Sequence, residues 1–202
     1  MTVADRLAES RNVLFGSSRR AAHPPTGIPH SATWPFNMMD RTLPEISADI
    51  ADWSREQPRQ LWDPGRKLLL AIRNYQAWRA RRGLLPKLLC KLAVLRHRFW
   101  SVVTGADIPL TCRIGGGLLI PHPNGIVIHP AAEIGVNCLI FQQVTIGSRE
   151  GPGVPLIGGH VDIGAGAKIL GALTIGNHAR IGANAVVITD VGPGQTAVGL
   201  IR

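Results

Sequence analysis

Ile157-Gly158-Gly159-His160-Val161-Asp162-Ile163-Gly164-Ala165-Gly166-Ala167-Lys168-Ile169 opens a run in which Ile157, Ile163, Ile169, Ile175, Ile181 and Val187 fall six residues apart. Gly158, Gly164, Gly176 and Gly182 follow four of these residues directly. A period of six fits neither a 3.6-residue helix nor an alternating strand; it suits a left-handed parallel β-helix with one short strand per hexad. The beat continues backward as Ile128, Ile134, Ile140 and Ile146, and before that as Ile108, Ile114, Ile120 and Ile126.

Two interruptions separate these three phases. One is a two-residue slip near Pro123-Asn124-Gly125, and the other is the Ser148 to Pro155 segment with Gly151, Pro152, Gly153 and Pro155. Regular hexads stack their apolar residue inward, while extra residues leave as loops, expected on one face and often the binding one. Functional residues are therefore expected beside the interruptions.

The fold class that follows is α+β: an N-terminal helical segment, then a left-handed parallel β-helix of hexapeptide repeats. At 202 residues the chain has room for a four-coil solenoid and a small helical domain. The expected division is a mobile arm over residues 1–43, a helical domain over 44–104 and the β-helix over 105–202. The arm has no apolar core of signal-peptide length, and its stretch from Ser17 to Pro35 is rich in Ser, Pro, His and Arg. Cys90, Cys112 and Cys138 show no CxxC spacing, which argues against a disulfide framework or a structural zinc site and for a reducing cytoplasm.

Charge is distributed unevenly. The formal net charge is +9, and from Gly65 to Gly105 there are ten Lys or Arg residues and no acid. Three helices are expected across this region, roughly 44–57, 65–82 and 84–103, with Gly83 and Pro86 punctuating the last junction. The third mixes Leu88, Leu89, Leu92, Leu95 and Phe99 with Lys87, Lys91, Arg96 and Arg98, and is too charged to span a bilayer. Such a stripe fits the packing face of a subunit contact, with an anionic membrane surface as the alternative partner of residues 65–104. A nucleic-acid partner is disfavoured, because no helix-turn-helix, zinc finger or aromatic stacking platform accompanies the basicity.

Asp107 and His122 are the residues best suited to chemistry. A hydroxyl or amine attacking a thioester needs a base; neutral imidazole titrates in the right range, and a carboxylate can fix its tautomer and stabilise the imidazolium. His122 lies in Ile120-Pro121-His122-Pro123-Asn124-Gly125, beside the first interruption, and Asp107 stands fifteen residues earlier. That separation is close to one three-sided coil, so the two can meet on neighbouring coils.

From about residue 45 to 202 the sequence resembles the serine acetyltransferase family of hexapeptide acyltransferases. The likeness is carried by Thr104-Gly105-Ala106-Asp107-Ile108, Ile114-Gly115-Gly116-Gly117-Leu118, His122 with Gly125-Ile126-Val127, and Gln143-Val144-Thr145-Ile146-Gly147. Ile163-Gly164-Ala165-Gly166-Ala167-Lys168-Ile169-Leu170-Gly171 and Ile181-Gly182-Ala183 extend it. The resemblance implies a catalytic dyad of Asp107 and His122, acetyl-CoA bound in a groove between protomers of a homotrimer or dimer of trimers, and acetyl transfer to a hydroxyl. Gly147, Ser148, Ala165 and Ala183 match positions lining the acetyl-CoA groove, although Gly and Ala are also what tight solenoid corners require. Lys168 and Arg180 are candidates for the CoA phosphates or for a solvated outer face.

Several positions depart from the family. Where its serine-reading members carry an Asp before the catalytic His and an Arg-His pair before the next coil, this chain has Pro121, Gly153 and Val154. The wording Gly105-Ala106-Asp107-Ile108-Pro109 and the short loop are more similar to a subgroup associated with surface polysaccharide synthesis. The resemblance thus implies a saccharide acceptor, with free L-serine as the alternative and a non-catalytic scaffold or membrane-surface adaptor as further alternatives. The expected setting is cytoplasmic, with the inner face of the membrane as the variant.

The remaining candidates read as structural. His129 and His160 lack the three-histidine spacing of a β-helical metal site. His178 is expected to be a solvated turn residue, Asp162 and Asp190 corner or turn residues, and Cys138 a small core residue.

Overall fold

The structure, a computed structural model, describes residues 46–202, within a compact unit running from Pro44 to Arg202. The expected arm at 1–43 lies outside the described residues. A 3-10 turn (Trp53–Glu56) precedes two helices, α1 (Pro64–Arg79) and α2 (Leu84–Thr104), which pack on each other and lead into the solenoid.

The solenoid is the left-handed parallel β-helix that the hexads predict. Its first face stacks β2 (Val127–Ile128), β5 (Thr145–Gly147), β8 (Lys168–Leu170), β11 (Val186–Val187) and β13 (Leu200–Ile201). The second stacks β1 (Arg113–Ile114), β3 (Glu133–Ile134), β6 (Leu156–Ile157) and β9 (Thr174–Ile175). The third stacks β4 (Leu139–Ile140), β7 (Asp162–Ile163), β10 (Arg180–Ile181) and β12 (Thr196–Ala197). The chain visits the three faces in turn, and every pairing is parallel, most with isoleucine on isoleucine along the core column, as in Ile134↔Ile157 and Ile140↔Ile163, and the last coils with Val187 or Ala197 in the same place. With five strands on its first face the stack is longer than four coils.

All three isoleucine phases point inward; Ile108, Ile126, Ile146, Ile163 and Ile175 are fully buried. A second inward column of Cys138, Val144, Val161, Ala167, Ala179 and Ala185 fills the corners with small side chains. Cys138 is thus a core residue, and burial pushes its thiol up to about 11. Cys112 is pushed up to about 12, first by burial and then by the charge of Asp107.

Several expectations are corrected. No helix forms over 46–52: that segment runs irregularly to the short 3-10 turn. Its backbone is captured by Asn137, whose side-chain amide donates to Ser47 O at 2.8 Å and Ile50 O at 2.7 Å while its oxygen accepts from Asp52 N–H at 2.8 Å. Gly159 allows this docking, because a Cβ there would collide with the Ala48 carbonyl. The two interruptions leave from different corners. Residues 121–125 lie between the third and first faces and residues 148–155 between the first and second, so they flank the first face on opposite sides. Asp162 sits on β7 in register with Arg180, not in a corner.

Replacing this buried anchor gives a clean test. Asn137→Ala is expected to destabilise by about 1–3 kcal/mol, the range for stranding buried polar partners. The expected signature is faster hydrogen exchange over 46–52 with the isoleucine columns still protected; unchanged exchange there would refute the anchoring role.

Candidate active site

Asp107 is positioned by the way α2 ends. Thr104 turns its hydroxyl back to Trp100 O at 2.7 Å, and Gly105 adopts the left-handed conformation (φ 65°) that closes the helix, its N–H donating to Ser101 O at 2.9 Å. Two residues later Asp107 opens the first face as an isolated bridge beside Val127. Its inward neighbour Ile108 is buried, so Asp107 points outward in the column continued by Val127, Thr145 and Lys168.

The His122 loop folds back onto this strand. Gly125 N–H donates to Gly105 O at 2.9 Å, and Asp107 N–H donates to Ile126 O at 2.8 Å. The loop carrying the imidazole and the strand carrying the carboxylate are therefore adjacent by backbone pairing. Both side chains are exposed, and neither forms a hydrogen bond or ion pair with a described residue.

One corner links the loop to other expected site residues. Gln143 N–H donates to Asn124 O at 2.9 Å, Gly166 N–H to Gln142 O at 2.8 Å, and Asn184 N–H to Ala165 O at 2.8 Å. The ladder places the His122 loop, Ala165 and Ala183 along one edge of the first face. Gly147 and Ser148 lie at the far end of β5, on the opposite edge, beside the second interruption. Lys168 is occupied at the same corner, its ammonium donating to Gln143 O at 2.6 Å. Arg180 lies on the third face and is exposed. Arg149 is loosely paired with its neighbour Glu150 at 3.7 Å.

Two features here are not announced by any motif. Gln142, on the ladder, has a buried amide oxygen with no donor among the described residues. A recess of about 210 Å³ borders Pro121 and is lined by Asp63, Arg66, Leu119 and Ile120, with Asp63 and Arg66 paired at 3.1 Å. Residue type and period mark neither, and the recess arises from packing the start of α1 against the residues before the His122 loop.

The other histidines lie elsewhere. His129 accepts from Ala131 N–H at 3.2 Å within its own turn. His160 and His178 occupy the corner between the second and third faces in left-handed conformation, with Nδ1 atoms 2.8 Å apart, so His178 is a stacked corner residue and not a free solvated one. Burial holds the His160 imidazole below its usual range, against the opposing pull of Asp162. Asp190 accepts from Thr174 N–H at 2.7 Å, as a turn residue does. Among the described residues no three His, Cys, Asp or Glu side chains gather as a metal site would require.

No protein-family model matches the chain. Individual relatives do. A serine acetyltransferase of Helicobacter pylori is 41% identical over 166 residues, covering 77% of this chain and 93% of the relative. One from Synechococcus elongatus is 36% identical over 149 residues, covering 67% of this chain and 58% of that protein. Among solved structures, the soybean serine acetyltransferase apoenzyme superposes with a TM-score of 0.58 at 39% identity, covering 69% of this chain and 56% of that one. A serine acetyltransferase in complex with CoA gives 0.57 at 33% identity, with 69% and 56% covered. The chain thus spans little more than half the length of these solved structures, yet nearly all of the Helicobacter pylori relative. With that extent of identity and the shared β-helix, the chain belongs to the serine acetyltransferase family of acetyl-CoA-dependent acyltransferases.

Proposed function

We propose that the protein transfers acetyl from acetyl-CoA to the hydroxyl of L-serine, with His122 as general base and Asp107 orienting it. The observation that carries the catalytic part is the backbone pairing of the His122 loop with the Asp107 strand. In the reaction His122 takes the proton of the attacking hydroxyl as its oxygen bonds to the thioester carbon. The tetrahedral intermediate then collapses, the C–S bond breaks, and the imidazolium returns the proton to the departing CoA sulfur. The edge running from the His122 loop to Ala165 and Ala183, with Gly147 and Ser148 across the first face, is the proposed seat of acetyl-CoA. The orphaned oxygen of Gln142 supports this, since a buried acceptor without a donor costs about 1–3 kcal/mol until something supplies one.

Serine is favoured over a saccharide by the relatives' names and by the recess beside Pro121. An amino-acid zwitterion needs a cation and an anion; Arg66 and Asp63, paired with each other at 3.1 Å, line the recess that borders Pro121, the residue before His122, and would exchange that pairing for the zwitterion's two charges. The saccharide reading keeps one specific support: Pro121, Gly153 and Val154 carry no charge at the family's serine-reading positions. We further propose a trimer or a dimer of trimers, because an exposed dyad on one protomer is enclosed once a neighbour packs against the first face.

A competition assay decides the acceptor. The chain is incubated with acetyl-CoA, L-serine and a panel of nucleotide sugars and oligosaccharides, and products are read by mass spectrometry for added acetyl. O-acetylserine is the expected product; acetylated sugar with no O-acetylserine would overturn the serine assignment and leave the dyad intact.

A further inference from the structure

Helix α2 is apolar on two opposite sides, and only one is covered. Ala93, Trp100 and Thr104 form its buried side. At 3.6 residues per turn, Leu84, Leu88, Leu92, Leu95, Phe99 and Val102 fall within about 80° of arc on the opposite side, and all are exposed, Val102 at 84%. Lys87, Lys91 and Arg98 border one flank of this stripe and Arg96 the other. The apolar surface continues past the helix: Phe99 and Trp62 both stack edge-on against Trp100, with centroids 4.9 and 5.8 Å away, and beside Trp62 lies Leu61, which is 93% exposed.

We propose that this face docks on an anionic lipid bilayer. The charge pattern selects that occupant. A second copy of the same face would set Lys87, Lys91 and Arg98 against their equivalents, and no acid between residues 65 and 105 is there to compensate. A bilayer bearing anionic headgroups takes the flanking cations at headgroup depth while the leucine stripe enters the acyl boundary. Trp62, with its indole at the rim of the patch, suits the same depth. Among the described residues no helix is long and apolar enough to cross a membrane, so the contact is peripheral. The inference stands apart from the acetyl-transfer reading, since none of these residues belongs to the solenoid edge.

Vesicle flotation with the full chain tests it. Wild type is mixed with phosphatidylcholine vesicles with or without phosphatidylglycerol, beside the double variants Leu88→Glu/Leu95→Glu and Lys87→Gln/Lys91→Gln. Their unfolding midpoints and light scattering are recorded in parallel. The expected result is flotation of wild type with anionic vesicles, about tenfold less with neutral ones, and about tenfold less for either variant at unchanged unfolding midpoint. Wild type that stays at the bottom with anionic vesicles, or a glutamate variant that floats like wild type, would overturn the proposal. If wild type ignores vesicles and the glutamate variant alone falls to a smaller assembly, the occupant is a second copy and the proposal fails.

Discussion

His122→Ala is expected to lower turnover by about 10²- to 10⁴-fold, the usual contribution of a positioned general base. Acetyl-CoA affinity should change little, because the imidazole addresses the attacking hydroxyl and not the thioester's carrier. Asp107→Asn should lose less than His122→Ala if the carboxylate only orients the ring and stabilises its charged form. Steady-state rates on the true acceptor, with acetyl-CoA binding measured separately, separate the two roles. Near-normal turnover by His122→Ala would remove the dyad from the account.

The second large effect concerns stability and lies away from the chemistry. Arg73 on α1 donates to both oxygens of Glu56, at 3.0 and 2.8 Å, and also to the carbonyls of Ile114 and Gly115, at 2.6 and 2.7 Å. Glu56 in turn accepts from Leu118 N–H at 3.1 Å. One largely buried ion pair thus joins the 3-10 turn, α1 and the first coil. Removing either partner leaves a charge without its counterpart in a desolvated place, which costs about 3–5 kcal/mol. Arg73→Ala or Glu56→Ala is therefore expected to lower the thermal midpoint by roughly 6–20 °C. An isolated pair can be replaced by apolar residues without loss. Here Glu56→Leu with Arg73→Met would still strand two carbonyls and an N–H, so the double variant should not recover. Recovery to the wild-type midpoint would show that the backbone bonds contribute nothing.

The sequence spoke clearly where structure repeats. Every isoleucine of the hexads is inward because each sixth residue takes the equivalent inward place on the next side of a three-sided coil, and that rule needs no knowledge of partners. The same period puts Asp107 within reach of the His122 loop. It also relates His160 to His178, eighteen residues apart, a spacing of one coil that predicts their stacking rather than the solvated turn place expected of His178. What lay hidden depends on contacts between unlike parts. Asn137 reaches back 90 residues to Ser47, and that contact cancels the helix expected there by giving the backbone other partners. Arg73 and Glu56 look like ordinary surface charges until α1 is laid on the first coil. The recess beside Pro121 escaped notice for the same reason, and with it the paired charges of Asp63 and Arg66; the saccharide expectation rested on the uncharged Pro121, Gly153 and Val154.

If His122 transfers acetyl to serine, free CoA thiol is released only when serine is present. The full chain and its His122→Ala variant are given acetyl-CoA with and without L-serine, and thiol is followed against O-acetylserine. Serine-dependent release matched one for one by O-acetylserine, and lost by at least about 10²-fold in the variant, is the predicted result. Serine-independent thiol release, or equal rates from both proteins, would contradict it.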